Sequence, residues 1–172
     1  MDADEEEAFD LDGRIAPVRL RVVPVAKHVA ANDSSAEGGH ADLTGGRTSG
    51  AAYALCWVLH SLSDGRGPAG HEGFSAAIDL GCGNGLVGIL TARLFPRTRV
   101  LITDGSTKFV ALAESNARLN GACPDVVQAR RLEWGNRNDI HACLDAVEGR
   151  PVLVVGADLI YAFGGAISSL IG

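Results

Sequence analysis

The sequence has few aromatic residues and no long apolar run. Phe, Trp and Tyr make up 5% of its 172 residues, although 47% of the residues are hydrophobic, which is enough to build a core. The longest uninterrupted apolar run, Ala51 to Leu59, has nine residues, whereas a helix needs about 20 to cross a bilayer. The first residues, MDADEEE, have neither the basic region nor the apolar stretch of a secretory signal. We therefore expect no membrane partner.

Cysteines are also few, and their spacing excludes the common zinc sites. The four residues form no CxxC pair, and no Cys/His spacing matches a structural zinc site. They are Cys56, Cys82, Cys123 and Cys143. We predict no metal. Since a chain with an apolar core and no signal is typical of a reducing compartment, we expect a cytoplasmic protein with free thiols.

Basic residues are missing from the N-terminus, and this absence accounts for the net charge of −6. Residues 1–12 contain seven acidic residues and no Lys or Arg, so the remaining chain has 14 acidic against 15 basic residues. We predict a disordered acidic tail over residues 1–14; docking to a basic partner is an alternative use of this segment. The rest of the chain has nearly equal numbers of acidic and basic residues, which gives no argument for nucleic-acid binding, and we expect no nucleic acid as a partner.

Two further segments follow the tail. Residues 15–47 are predicted to form one or two N-terminal strands, interrupted by Pro17 and Pro24, and a Gly-rich linker. From residue 48 to residue 172 predicted helices and strands alternate. The strands are Ala76 to Leu80, Arg99 to Thr103, Val126 to Trp134 and Pro151 to Val155. Helices are predicted from Thr48 or Ser49, after Gly85, after Ser106 and over Ile140 to Val147. This order predicts a doubly wound, Rossmann-like α/β domain with a parallel sheet and an N-terminal β extension.

One motif, between a predicted strand and a predicted helix, has the residues of a ligand-binding site. In DLGCGNGLVG, the glycines allow a sharp turn and a close approach to a ligand. The following helix N-terminus offers unpaired N–H groups. Asp104 ends the next predicted strand, where a carboxylate can accept hydrogen bonds from two ribose hydroxyls. Together these residues indicate a site for an adenosine-containing cofactor.

Two cofactors fit this motif. Gly83, Gly85 and Gly88 satisfy GxGxxG, with an acidic residue 21 positions after Gly83, which is the dinucleotide pattern of NAD-dependent oxidoreductases. Asp79, however, ends the strand before the turn, and its charge would repel a pyrophosphate. The same charge suits S-adenosylmethionine (SAM), which carries an ammonium and a sulfonium. Asp79 therefore favours SAM, unless this carboxylate only caps the following turn.

Four segments in order resemble the seven-β-strand protein-lysine methyltransferases that act on non-histone proteins. They are DLGCGNGLVGI, ITDGS, LEWG and VVGADLIY, and the resemblance runs from about Thr48 to Tyr161. It implies a SAM-dependent methyltransferase with a protein substrate. ITDGS followed by RRLEWG looks most like the enzymes that modify elongation factor 2.

The resemblance also implies roles for single residues. Cofactor contacts are implied for Tyr53, Gly81, Cys82, Gly83, Asp104, Trp134 and Ala157, and the charge argument above adds Asp79 to this set. Tyr53 stands where the family has a Trp after a Thr-Gly pair. Asp158 and Tyr161 are implied as the catalytic residues that shape the channel for the lysine. Their alternative interpretation is a helix cap and a packing aromatic, and Trp134 has the alternative role of an ordinary core residue.

Family members continue with three more strands after the fourth. We therefore expect the sheet to be incomplete on its C-terminal side, as in a truncated product, with an apolar edge that a partner would cover. A non-catalytic methyltransferase-like interaction module is the third function that the sequence leaves open.

Overall fold

The computed structural model describes residues 5–23, 46–65 and 73–160. In chain order the elements are β1 (Glu5–Phe9), β2 (Val18–Val22), α1 (Gly50–Ser63), β3 (Ala76–Leu80), α2 (Leu86–Leu94), β4 (Arg99–Asp104), α3 (Thr107–Leu119), β5 (Val127–Arg131), α4 (Arg137–Ala146) and β6 (Val152–Gly156). Among these residues, every helix is too short or too polar to span a bilayer.

Four strands form a parallel sheet in the order β5-β4-β3-β6. The chain moves outward from β3 to β5 and then returns to place β6 on the other side of β3. A doubly wound sheet has its switch point at such a reversal, between β3 and β6. The predicted α/β fold with a parallel sheet is confirmed.

Apolar side chains alternate between the two faces of the sheet because successive strand residues point to opposite sides. Ala77, Val100 and Ile102 pack with α2 and α3 in the larger core. Ile78 and Leu101 face the other way, toward Cys143 and Val147 near the end of α4. The sheet thus lies between two helical layers, and its strand ends meet along one edge.

The acidic N-terminus differs from the expected disordered tail. Glu5–Phe9 pairs antiparallel with Val18–Val22, so that residues 5–22 form a hairpin. Three exposed or half-exposed ion pairs join the acidic strand to basic residues elsewhere: Arg19 with Glu6 at 2.8 Å, and Arg47 with Glu5 at 2.9 Å and with Glu7 at 2.6 Å. The alternate residues of β2, Val18, Leu20 and Val22, are buried. Burial of this apolar face orders the segment, and the acidic charge is compensated locally.

Candidate functional site

A glycine-rich loop, residues 81–85, leaves β3 and enters α2 at the switch point of the sheet. The Gly85 N–H donates to the Cys82 carbonyl at 2.9 Å, and the Cys82 N–H donates to the Thr103 carbonyl of β4, also at 2.9 Å. Gly81 and Gly83 have φ angles of 62° and 55°. Only glycine adopts these values without a steric cost, so the sequence GCGNG fits this path of the backbone.

Asp104, at the end of β4, fixes the loop from one side. Its Oδ2 accepts the Gly83 N–H at 3.1 Å, and its Oδ1 accepts the Ser106 N–H at 2.9 Å. A carboxylate has about four lone-pair sites, so each oxygen retains capacity for one more donor. Asp104 is therefore held in a fixed orientation while it can still bind two hydroxyl groups.

Asp79 lies beneath the loop and is 1% exposed. Its Oδ2 accepts the N–H of Gly88, in the first turn of α2, at 2.9 Å. Burial raises the pKa of Asp79 to about 7; the Gly88 hydrogen bond opposes this shift, and the nearby charge of Asp104 adds to it. The structure thus gives Asp79 the capping contact that the sequence left as an alternative. Because Asp79 is buried beneath the loop, any effect of its carboxylate on a ligand would act through charge and not through direct contact.

Cys82 is half-buried in the loop, and its thiol is poorly suited to nucleophilic chemistry. Burial raises the pKa of Cys82 well above its ordinary value, and the charges of Asp79 and Asp104 raise it further. Since the thiolate is the reactive form of cysteine, this environment keeps the group inert.

Leu159 covers the ends of β3 and β6. A Cβ added at Gly81 would lie 2.9 Å from Leu159 Cδ2 and 3.6 Å from Cζ2 of Trp134. A Cβ added at Gly156 would lie 2.7 Å from Leu159 Cδ1. Gly81, Trp134 and Leu159 therefore form one apolar surface beside the loop. Trp134 was predicted at this site, whereas Leu159 was not, since no sequence signal separates it from an ordinary spacer residue.

A pocket of about 230 Å³ extends from this surface along the sheet face that α4 covers. Leu80, Trp134 and Leu144 line it together with Val154 of β6. Val154 and Leu144 are more than half exposed. The pocket is apolar and open to solvent.

Asp158 follows β6 and is exposed. Its φ is 60°, and in the part of the chain that the structure describes it is the one residue other than glycine with a positive φ. Asp is one of the few residue types that adopt this region at modest cost. Ala157 precedes it and is half-buried. Tyr161, the second predicted catalytic residue, lies outside the described residues.

Tyr53 contacts the N-terminal hairpin: its ring lies 5.2 Å from that of Phe9 between centroids. The contact between the start of α1 and the loop comes instead from Thr48, whose Oγ1 accepts a hydrogen bond from Asn84 Nδ2 at 2.7 Å. Ser49 is the N-cap of α1 and accepts the Ala52 N–H at 3.1 Å, as one of the two predicted caps.

The structure therefore assembles most of the predicted cofactor residues around one loop. Asp79, Gly81, Cys82, Gly83, Asp104 and Trp134 lie together at the ends of β3, β4 and β5. Ala157 and Asp158 follow the neighbouring strand β6. No group of three or more potential metal ligands occurs in residues 5–23, 46–65 and 73–160.

Comparison with protein families finds one matching model, described as lysine methyltransferase, over residues 41–171. Among curated proteins, the chain is 38% identical over 52 residues to a ribosomal RNA large subunit methyltransferase G of Shewanella denitrificans. This match covers 30% of the chain and 14% of the relative. A second relative is protein-lysine N-methyltransferase EFM3 of Chaetomium thermophilum, 34% identical over 91 residues. Here the match covers 49% of the chain and 26% of the relative, so both matches span far less than two thirds of the relatives.

The solved structures that match this chain include two methyltransferases. SAH-bound PaMTH1 of Podospora anserina has a TM-score of 0.47 and 11% identity, over 88% of this chain and 58% of that one. An O-methyltransferase of Bacillus cereus in complex with SAH has a TM-score of 0.44 and 16% identity, over 76% and 51% of the two chains.

Proposed function

The chain belongs to the lysine methyltransferase family, and we propose that it transfers a methyl group from SAM to the side chain of a lysine in another protein. One observation carries the cofactor part of this proposal: Asp104 is oriented by the backbone N–H groups of Gly83 in the loop and Ser106 before α3, and it retains acceptor capacity on both oxygens. This is the arrangement that a ribose diol requires.

The residues of the loop fit SAM better than a dinucleotide. Asp79 and Asp104 bring two carboxyl groups to the loop, close enough for the charge of Asp104 to raise the pKa of Asp79. Such a site attracts a cation and repels a pyrophosphate, and Asp79 adds its full charge only above a pH of about 7, because burial raises its pKa to that value. Gly81 leaves space beside Trp134 and Leu159, where an added Cβ would be in close contact. When bound, SAM would supply the methyl group from its sulfonium, and the neutral thioether would be the leaving group.

Asp158 is the residue of this chain that we assign to the substrate amine. Its carboxylate is exposed at the end of β6, beside the strand that carries the loop. A carboxylate there would hold the lysine ammonium and keep its nitrogen in place while the proton leaves to solvent. Tyr161 remains the residue that the family resemblance implies as an aromatic wall for the cation.

Elongation factor 2 is the first protein substrate to test. The segments ITDGS and RRLEWG resemble the enzymes that modify this factor. The relative from Chaetomium thermophilum, named as a protein-lysine N-methyltransferase, supports a protein rather than a small amine as the acceptor.

The proposal is tested with isotope-labelled SAM, purified elongation factor 2 and the full chain, with the labelled lysine identified by mass spectrometry. Asp158→Asn is the informative variant because Asn also tolerates a positive φ. We expect at least a tenfold lower rate of methyl transfer with unchanged SAM affinity, since only the charge is removed. Asp145→Asn, at an exposed position of α4, is the matched control and should leave the rate unchanged. Equal rates for Asp158→Asn and the wild type would contradict the role of Asp158.

A further inference from the structure

Two asparagines one helical turn apart, Asn116 in α3 and Asn120 at its C-cap, pair with the backbone of the N-terminal hairpin. Asn120 Oδ1 accepts the Arg19 N–H at 2.9 Å, and its Nδ2 donates to the Arg19 carbonyl at 2.5 Å. Asn116 Oδ1 accepts the Arg21 N–H at 2.7 Å, and its Nδ2 donates to the Arg21 carbonyl at 3.1 Å. The two side-chain amides thus take the place of a neighbouring strand along the edge of β2.

Asn116 contacts the glycine-rich loop, whereas the further partners of the Asn120 side chain lie elsewhere: it accepts from Arg93 Nη2 and donates to the Asn116 carbonyl, both at 2.8 Å. Asn116 Nδ2 also donates to the backbone carbonyl of Asn84, inside the glycine-rich loop, at 2.9 Å. Asn116 is fully buried. With one bond to Oδ1 and two from Nδ2, both hydrogens of the amide nitrogen have an acceptor. The Arg21 N–H fixes which end of the amide carries the oxygen, and the nitrogen is therefore aimed at the loop.

The loop is contacted at Asn84 and Gly85 by α3, in addition to the bond between Gly83 and Asp104. Asn84 is 3% exposed, and its own side chain bonds to Thr48 Oγ1 and accepts the Leu86 N–H. A Cβ added at Gly85 would lie 3.0 Å from the Cβ of Ala113, one turn before Asn116 on α3. Removal of the Asn116 amide would leave the Asn84 carbonyl buried without that donor.

We propose that Asn116 is a positioning residue for the cofactor loop, and that the hairpin β1–β2 serves this role by setting the orientation of the Asn116 amide. The effect on SAM affinity rests on the proposed function, because it requires that the loop bind SAM. The effect on the loop conformation does not depend on the proposed function, since the contact between Asn116 and Asn84 exists in the free protein.

The test compares Asn116→Ala with Asn120→Ala in the full chain. Both variants lose a pair of hydrogen bonds to β2, so both should lower the melting temperature. Only Asn116→Ala removes the donor to Asn84. We expect faster hydrogen exchange at the Gly83 and Gly85 amides and about fivefold to tenfold weaker SAM binding by calorimetry for this variant alone, as for one lost hydrogen bond of about 1 kcal/mol. For Asn120→Ala both quantities should stay within twofold of the wild type.

Equal loop exchange in the two variants would overturn the positioning role, whatever the SAM result. If exchange at the Gly83 and Gly85 amides is faster in Asn116→Ala alone but the wild type does not bind SAM, the positioning role stands and the proposed function is refuted. If Asn116→Ala does not fold, Asn116→Ser and Asn120→Ser replace the pair. A serine side chain is one bond shorter than asparagine and lacks the amide donor to the Asn84 carbonyl, so the same selective result is expected.

Discussion

The backbone N–H of Gly83 donates to Oδ2 of Asp104 at 3.1 Å, across 21 residues of sequence. This bond joins the loop after β3 to the end of β4. It explains why a glycine-rich turn and an acidic residue one strand later form a single site: the carboxylate shapes the loop and is itself oriented by it. Preorganised groups of this kind bind a ligand without a further ordering cost.

Gly81→Ala should weaken cofactor binding beyond its effect on folding. Gly81 has a φ of 62°, and an added Cβ would lie 2.9 Å from Leu159 Cδ2. Gly121 has a φ of 71° and nothing within 4 Å of an added Cβ, so Gly121→Ala is the control for the backbone cost alone. Both variants should lose about 1–2 kcal/mol of unfolding free energy. SAM affinity, measured by calorimetry, should fall only for Gly81→Ala; equal affinities in the two variants would contradict the close approach at Gly81.

Asp79→Asn should make the protein more stable at pH 8 than the wild type. Burial raises the pKa of Asp79 from 3.8 to about 7, so between these values the folded state binds more protons than the unfolded state. Stability from this group is therefore lost as the pH rises from about 4 to about 7. Asparagine carries no charge and keeps an oxygen for the Gly88 N–H.

Melting temperatures of the wild type and Asp79→Asn between pH 5 and pH 8 measure this effect. The difference in favour of the variant should be small at pH 5 and should grow toward pH 8. A constant difference, or a variant that is less stable at pH 8, would show that the Asp79 carboxyl is not penalised by burial.

Thiol alkylation should distinguish Cys123 from the other cysteines. Cys123 is exposed, whereas Cys56 and Cys143 are buried. Burial raises the pKa of Cys56 to about 12 and raises the pKa of Cys143 and Cys82 as well. Iodoacetamide at pH 8, followed by mass spectrometry, should modify Cys123 first. Rapid modification of Cys82 would contradict the inert environment described for it.

Leu20→Ala should destabilise the whole domain, which a disordered tail would not do. Leu20 is fully buried in the main core, and such truncations cost about 2–5 kcal/mol. Arg19→Ala, next to it on the exposed side, removes a surface ion pair with Glu6 worth about 0–1 kcal/mol. Denaturant unfolding of both variants measures the difference. Equal unfolding free energies would mean that the hairpin does not belong to the core.

The parallel sheet could be predicted because each of its strands and helices has its own local pattern of apolar residues and capping or turn residues. Val127–Arg131 and Arg137–Ala146 lie within a few residues of the predicted elements, and Ala76–Leu80 has the predicted bounds. Strand β1 was missed because EEEAF has no apolar alternation. Its pairing depends on β2 and on Arg47, 40 residues after Glu7, and charge counts along the sequence do not show such pairs.

Only the part of the candidate site that consists of glycines and acidic residues at strand ends can be located from the sequence. Asp104 and Gly81 lie where the motif requires them. The roles of Asn116, Thr48 and Leu159 were not visible, because each depends on a contact between distant segments. Tyr53 is predicted at the cofactor as the nearest aromatic; its ring contacts Phe9, and its cofactor role stays a prediction. Thr48, five residues earlier, reaches the loop.

The most direct test of the account is calorimetric titration of the 172-residue chain with SAM and, separately, with NAD, for the wild type and Asp104→Asn. We expect saturable SAM binding and no NAD binding by the wild type. The variant should bind SAM about 10-fold to 100-fold more weakly, because it loses a charge-assisted hydrogen bond of about 1.5–3 kcal/mol. Saturable NAD binding without SAM binding would contradict the central claim, and so would SAM binding that is unaffected by the change at Asp104.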